Sequence, residues 1–140
     1  MTLSGKRAII TGSNSGIGLG VAEALAAAGA EVILNSFTDR AEDHDLARDL
    51  GARHGVAARY IAADMSKGVE CRALVEKAGG CDILVNNAGI QFVSPIEDFP
   101  VEKWDAILAI NLTSAFHTTA AALPGMRARG WGRVVNIASA

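Results

Sequence analysis

Thr11-Gly12-Ser13-Asn14-Ser15-Gly16-Ile17-Gly18 is the stretch whose reading decides the fold. The residues before it, Arg7-Ala8-Ile9-Ile10, are mostly apolar and β-branched, the pattern of a short buried strand. Leu19 to Ala28 after it is rich in Ala and Leu, with Gly20 the only breaker, which predicts a helix. A strand, a glycine-rich turn and a helix N-terminus together make an anion site. Glycines let the backbone turn tightly and approach a ligand, while free N–H groups and the helix dipole favour phosphate. Two other readings compete. A P-loop fails because no Gly-Lys-Ser/Thr follows, whereas a plain tight turn between strand and helix stays open on glycine spacing alone.

The rest of the chain alternates strand and helix, which argues for a parallel sheet with helices on both faces. Glu31 to Asn35 reads as strand two, with Gly29 where a glycine usually closes the preceding helix. Arg40 to His54 is a polar helix whose Ala41, Leu46 and Leu50 share a face. Val56 to Ala62 supplies strand three, residues 68–78 a short helix carrying Val69, Ala73 and Leu74, and Cys81 to Asn86 strand four. A loop with Pro95 and Pro100 leads into a helix from Val101 to about Arg129, which Pro124-Gly125 is expected to interrupt. Gly132 to Ile137 is strand five. Right-handed crossovers predict an α/β, doubly wound parallel sheet of the Rossmann type, with strand order 3-2-1-4-5. Its ligand should lie over the carboxyl ends of strands one and four, where the order reverses.

Composition sets the outer bounds. The 140 residues are 50% hydrophobic and 20% charged, an ordinary globular balance with room for one domain. The formal net charge of −2 gives no reason to expect nucleic acid or a membrane surface as partner. No leader-like start and no stretch long enough to span a bilayer is read. Cys71 and Cys81 lack metal-type spacing and read as reduced cytoplasmic thiols. His44, His54 and His117 have no second ligand nearby in sequence, so no metal is assigned.

A second signature, Asn86-Asn87-Ala88-Gly89, follows strand four. Alone it is a turn of small residues. With Thr-Gly-x-x-x-Gly-Ile-Gly upstream, the chain resembles the short-chain dehydrogenases/reductases, over essentially its whole length. The resemblance implies a nicotinamide dinucleotide held by Gly12, Ser13, Ser15, Gly16, Ile17 and Gly18. It adds Phe37, Asp64, Met65, Asn87, Ala88, Gly89 and Ile110 as further cofactor contacts. Asp64 would accept from the adenine amino group, although a helix N-cap role, with Ser66 competing, is the plain alternative. Phe37 either stacks beside the adenosine or is an ordinary loop or core aromatic. Asn86 would knit strand four to its neighbour.

Catalytic roles come from the same resemblance. Asn111 sits in a helix it suits poorly. The matching Asn bends the helix, and its carbonyl holds a water in the proton relay. Trp104 and Phe116 around it are expected in the core. Ser139, just past strand five, would hydrogen-bond the substrate carbonyl or hydroxyl. Residues 86–91, 124–129 and 130–139 look most like the members that oxidise small hydroxy acids. In that group a Gln in the place of Gln91 binds the substrate carboxylate. The segment from Asp64 to Asp82 is about one helical turn shorter than is usual there.

NAD is expected over NADP, because Asn35-Ser36-Phe37-Thr38-Asp39 puts no cation at the end of strand two and no Arg before Arg40. The family's Tyr-x-x-x-Lys is absent: the single tyrosine, Tyr60, has no Lys four residues on. The expectation is therefore one dinucleotide-binding domain over residues 1–140, incomplete at its C-terminus and inactive alone. The enzyme would be an NAD-dependent cytoplasmic homo-oligomer, a tetramer by resemblance, acting on a small-molecule hydroxy acid. An NADPH-dependent 3-oxoacyl reductase-like enzyme and a nucleotide-binding fragment without catalysis are the alternatives.

Overall fold

The computed structural model describes residues 2–138. Five strands, β1 (Arg7–Ile10), β2 (Glu31–Ser36), β3 (Ala58–Ala62), β4 (Ile83–Asn86) and β5 (Arg133–Asn136), form one sheet. It has the expected order, β3-β2-β1-β4-β5. Every neighbouring pair is parallel, with Ile9 beside both Ile33 and Leu84 at the centre. The inner strands are short apolar runs because both faces are covered. Alternation sends Ala8, Ile10, Val32, Leu34, Ile83 and Val85 to one face. There they meet Ala22 and Ala26 of α1 (Gly16–Ala27) and Ala47 and Leu50 of α2 (Ala41–His54). Ile9, Ile33 and Leu84 face the other way. They pack on Cys71, Leu74, Val75 and Ala78 of α3 (Gly68–Ala78), and on Ala122 and Met126 of α5 (Ser114–Arg129).

Several local expectations change. The inward face of α2 carries Asp43, Ala47 and Leu50, while Ala41 is exposed. On α3, Val69 is exposed and Cys71 takes the buried place. The helical run Val101–Arg129 is not interrupted at Pro124-Gly125; α5 continues to Arg129 and closes at Gly130 with φ 71°. Buried Ala122 and Met126 anchor it on both sides of the proline, so packing outweighs the lost backbone bond. The irregularity lies earlier, where a wider π turn, Ala109–Thr113, joins α4 (Val101–Leu108) to α5.

Trp104 and Phe116 are not core residues: they are 48% and 62% exposed. Trp104 meets Phe99 edge-on, and Phe99 meets Phe92 likewise. The run Val101–Arg129 is also long and apolar enough to cross a membrane by length and composition, contrary to the sequence expectation. Here its α5 part lies beside the sheet, with Ser114, Thr118, Ala122 and Met126 buried.

Candidate functional site

A cleft of about 400 Å³ opens at the carboxyl edge of the sheet, where the strand order reverses. Its walls come from Gly12, Asn14 and Ser15 after β1 and from Asn35, Ser36 and Phe37 at the end of β2. Ala63, Asp64 and Met65 after β3 and Asn87 to Ile90 after β4 continue the lining, and Ile110 of the π turn completes it. Four strand ends and one helix thus converge on one space, which is where a doubly wound sheet places its ligand.

Thr11 holds two of these walls together. Its side chain is 1% exposed, and Oγ1 accepts from the Asn87 N–H at 3.0 Å and the Ala88 N–H at 2.9 Å. In return, the Asn87 amide donates to the carbonyls of Thr11 and Gly12 at 3.2 and 3.0 Å. The approach is close enough that a Cβ on Gly12, at φ +60°, would stand 2.9 Å from the Ala88 Cα. Gly18 is equally confined, whereas the space beside Gly16 at φ +58° is open. The first and last walls are therefore fixed relative to each other, with room left over the start of α1.

Asn35 fastens the third wall. It is fully buried, and a buried amide must find partners. Its Oδ1 accepts from the Gly12 N–H at 3.1 Å, and its Nδ2 donates to the Ile61 carbonyl at 3.0 Å. Its own N–H donates to Ser13 Oγ at 2.9 Å. The Ser13 hydroxyl donates to the Ile10 carbonyl at 2.6 Å, so this residue turns into the fold and does not line the cleft. Neither Thr11 nor Asn35 was given a role from sequence, although a polar residue ending the buried run Val32–Leu34 is itself a signal.

Asp64 is not a helix N-cap. Lys67 occupies that position, and Asp64 Oδ1 accepts from the Ser66 N–H at 2.9 Å and the Ser66 hydroxyl at 2.7 Å. Those two donors hold its carboxyl below the usual carboxylate range. Phe37 is on the rim, 78% exposed, rather than in the core. Asn86 bridges inward: its Oδ1 accepts from Thr118 Oγ1 at 2.6 Å and its Nδ2 donates to Asn136 Oδ1 at 2.9 Å. Asn111 pairs with the backbone of Ile90. Gln91 follows on that loop, exposed and outside the cleft lining. Ile17 is exposed on the first turn of α1. Ser139 lies outside the described residues. Among the described residues no group of three metal-ligating side chains gathers. His44 pairs with Asp39, and His117 accepts from Arg72 Nε.

The comparisons agree with this architecture. Residues 6–140 match the family model described as short chain dehydrogenase. The D-beta-hydroxybutyrate dehydrogenase of Cupriavidus necator is 57% identical over 141 residues, covering 98% of this chain and 54% of that protein. The enzyme of the same name from Rhizobium meliloti is 49% identical, over 96% of this chain and 54% of its own length. A metagenomic short-chain oxidoreductase solved in complex with NADP superposes with a TM-score of 0.90 at 34% identity, covering 100% of this chain and 65% of that one. The chain thus spans about half the length of the curated relatives it matches. A family match running from Lys6 to the last residue, on a sheet of this order, leaves one assignment: the chain belongs to the short-chain dehydrogenase family.

Proposed function

We propose that this chain is the dinucleotide-binding part of an oxidoreductase that passes a hydride between NAD and a small hydroxy acid, D-3-hydroxybutyrate, giving acetoacetate. The observation that carries the reading is the Thr11 clamp, which joins the glycine loop to Asn87–Gly89 across the point where the sheet order reverses. The fit to a dinucleotide is tested by the backbone itself. Gly12 and Gly18 have no room for a side chain, and Gly16 faces open space at the helix start where a pyrophosphate would sit. The 57% and 49% identities to D-beta-hydroxybutyrate dehydrogenases support the substrate.

In this reading Gly12 and Ser13 shape the loop, the N–H groups of Gly16, Ile17 and Gly18 at the start of α1 hold the pyrophosphate, and Ser15 closes that end of the cleft. Asp64 accepts from the adenine amino group, with Met65 beneath it and Phe37 against the adenosine. The backbone of Asn87, Ala88 and Gly89 and the side chain of Ile110 flank the nicotinamide half. When bound, the nicotinamide ring takes up or returns the hydride. Gln91 donates to the substrate carboxylate, Ser139 orients the carbonyl or hydroxyl, and Asn111 fixes the loop bearing Gln91. Tyr60 cannot move the substrate proton. It is 4% exposed, and its hydroxyl donates to the Thr38 carbonyl. That proton needs a positioned acid/base outside the 140 residues, as in Tyr-x-x-x-Lys. Such a group contributes about 10²–10⁴-fold.

NAD is preferred on this chain's own residues, because among the described residues no Lys or Arg lines the cleft where a 2′-phosphate would lie. The NADP in the metagenomic neighbour gives the NADPH-dependent 3-oxoacyl reductase-like reading its foothold. Buried, unbridged Cys71 and Cys81 support a cytoplasmic location, and the exposed apolar side of α5 supports a homo-oligomer, a tetramer by family resemblance. The test pairs calorimetry of NAD and NADP on the 140-residue chain with an assay beside a chain extended to restore Tyr-x-x-x-Lys. NAD should bind more tightly, and only the extended chain should oxidise D-3-hydroxybutyrate. Tighter NADP binding would overturn the cofactor choice, and equal turnover by both chains the assignment of the acid/base.

A further inference from the structure

Behind the cleft wall, Asp43 on the first turn of α2 is 2% exposed although it is a carboxylate. Donors from two walls satisfy it. Asn14 Nδ2, from the glycine loop, reaches Oδ1 at 3.2 Å. Thr38 Oγ1 and the Arg40 N–H, from the connection between β2 and α2, reach Oδ2 at 2.8 and 3.0 Å. The Arg40 guanidinium closes the cage, with Nη2 at 3.0 Å from Oδ1 and Nε at 3.3 Å from Oδ2. Tyr60 fixes the same connection from below through the Thr38 carbonyl. Asn14 and Phe37 line the cleft, so Arg40 is one carboxylate removed from its wall.

Resting on the dinucleotide reading above, we propose that Asp43 is the positioning residue that sets cofactor choice: it holds the guanidinium of Arg40, one carboxylate behind the cleft wall, so that this cation is withheld from the cofactor and the corner stays acidic. Asp43 and Glu42 put two carboxylates on one guanidinium, with Glu42 Oε2 3.7 Å from Arg40 Nε, and Asp39 is the residue before it in the chain. Asp39 is in addition paired with His44 at 2.6 Å. A ribose 2′-hydroxyl is indifferent to such a corner, while a 2′-phosphate dianion is repelled by it. The five donors also hold the Asp43 carboxyl well below the usual carboxylate range, so the group is charged at neutral pH. Arg40 is therefore neutralised in place rather than merely distant.

The experiment measures NAD and NADP dissociation constants by calorimetry on the 140-residue chain and three variants. Asp43→Asn keeps the shape and frees the guanidinium; the ratio of NADP to NAD affinity should rise about tenfold, roughly one charge pair's worth. Adding Arg40→Gln to it should return the ratio to its starting value, an effect a purely structural role for Asp43 would not produce. Asp39→Asn with Glu42→Gln, both on exposed side chains, should raise the ratio about threefold and keeps the test open should Asp43→Asn unfold. An unchanged ratio in the folded variants overturns the inference and leaves the dinucleotide reading standing. Binding of neither nucleotide to the unaltered chain overturns both.

Discussion

Asn111 grips the backbone of Ile90 from both sides: its Oδ1 accepts from the Ile90 N–H at 2.8 Å and its Nδ2 donates to the Ile90 carbonyl at 2.9 Å. The π turn makes this possible. It adds a residue to the helix between Ala109 and Thr113, which turns Asn111 toward the loop after β4. An Asn that suits a helix poorly is thereby kept for its side chain. Replacing it by Ala should release Ile90 and, with it, the placement of Gln91. Both bonds are near solvent, so the loss should be about 1–2 kcal/mol in urea unfolding. Hydrogen exchange reads the local effect directly: the Ile90 amide should lose protection. Unchanged protection would show that the loop holds itself.

Thr11 offers a sharper contrast between two conservative changes. Thr11→Ser keeps the oxygen that accepts from Asn87 and Ala88, so its stability should stay within about 1 kcal/mol of the parent. Thr11→Val keeps the shape and strands two backbone N–H groups in a part-buried setting. Each unsatisfied donor costs about 1–3 kcal/mol, and dinucleotide affinity should fall with it because the two walls separate. Chemical denaturation and calorimetry of the pair decide this. Equal behaviour of Ser and Val would mean that packing, not the hydroxyl, joins the walls.

What was legible in the sequence follows from which forces are local. Strand order and the position of the cleft were readable because apolar runs, glycine spacing and the alternation of elements are encoded within short windows. Residues whose partners lie far along the chain were not. Asn35 reaches Ile61 and Gly12, and Asp43 reaches Asn14, contacts that only the folded sheet creates. Pro124 misled for the same reason: its local penalty is real, but buried Ala122 and Met126 outweigh it. Trp104 and Phe116 erred in the opposite direction, since helical spacing identifies a face without saying what covers it.

Titration should bracket the stability of the chain from both ends. Asp43 and Asp64 are held below the usual carboxylate range by their donors. The stability they contribute is present above the unfolded-state pKa near 3.9 and disappears as pH falls through their folded values. At the other end, burial pushes the thiols of Cys71 and Cys81 up to about 11 and about 12. The folded state then binds more protons than the unfolded state above pH ~8.5, so stability should decline as pH rises from there. At pH 8 a disulfide reagent should react with neither thiol in the folded chain and with both in urea. Fast reaction of either one without denaturant would contradict its burial.

The last prediction concerns the open side of the sheet. Among the described residues β5 pairs with β4 alone, and all four of its residues are exposed. Val134 and Val135 on that strand are 37% and 44% exposed, and Leu112 and Phe116 on the adjacent helical run are 66% and 62% exposed. A shallow groove lined by Leu112, Phe116, Thr119 and Asn136 runs between strand and helix. An unpaired parallel edge beside an apolar face invites another backbone or another apolar surface. The 140-residue chain should therefore associate as its concentration rises, seen as a growing sedimentation coefficient. Phe116→Glu with Val135→Lys places charge on both parts of the patch, and both side chains are exposed, so the fold should survive. That variant should remain monomeric over the same concentration range with an unchanged circular dichroism spectrum. Association that persists in it would place the contact elsewhere on the molecule, with Trp104 of α4 and Phe99 just before that helix the next surface to alter.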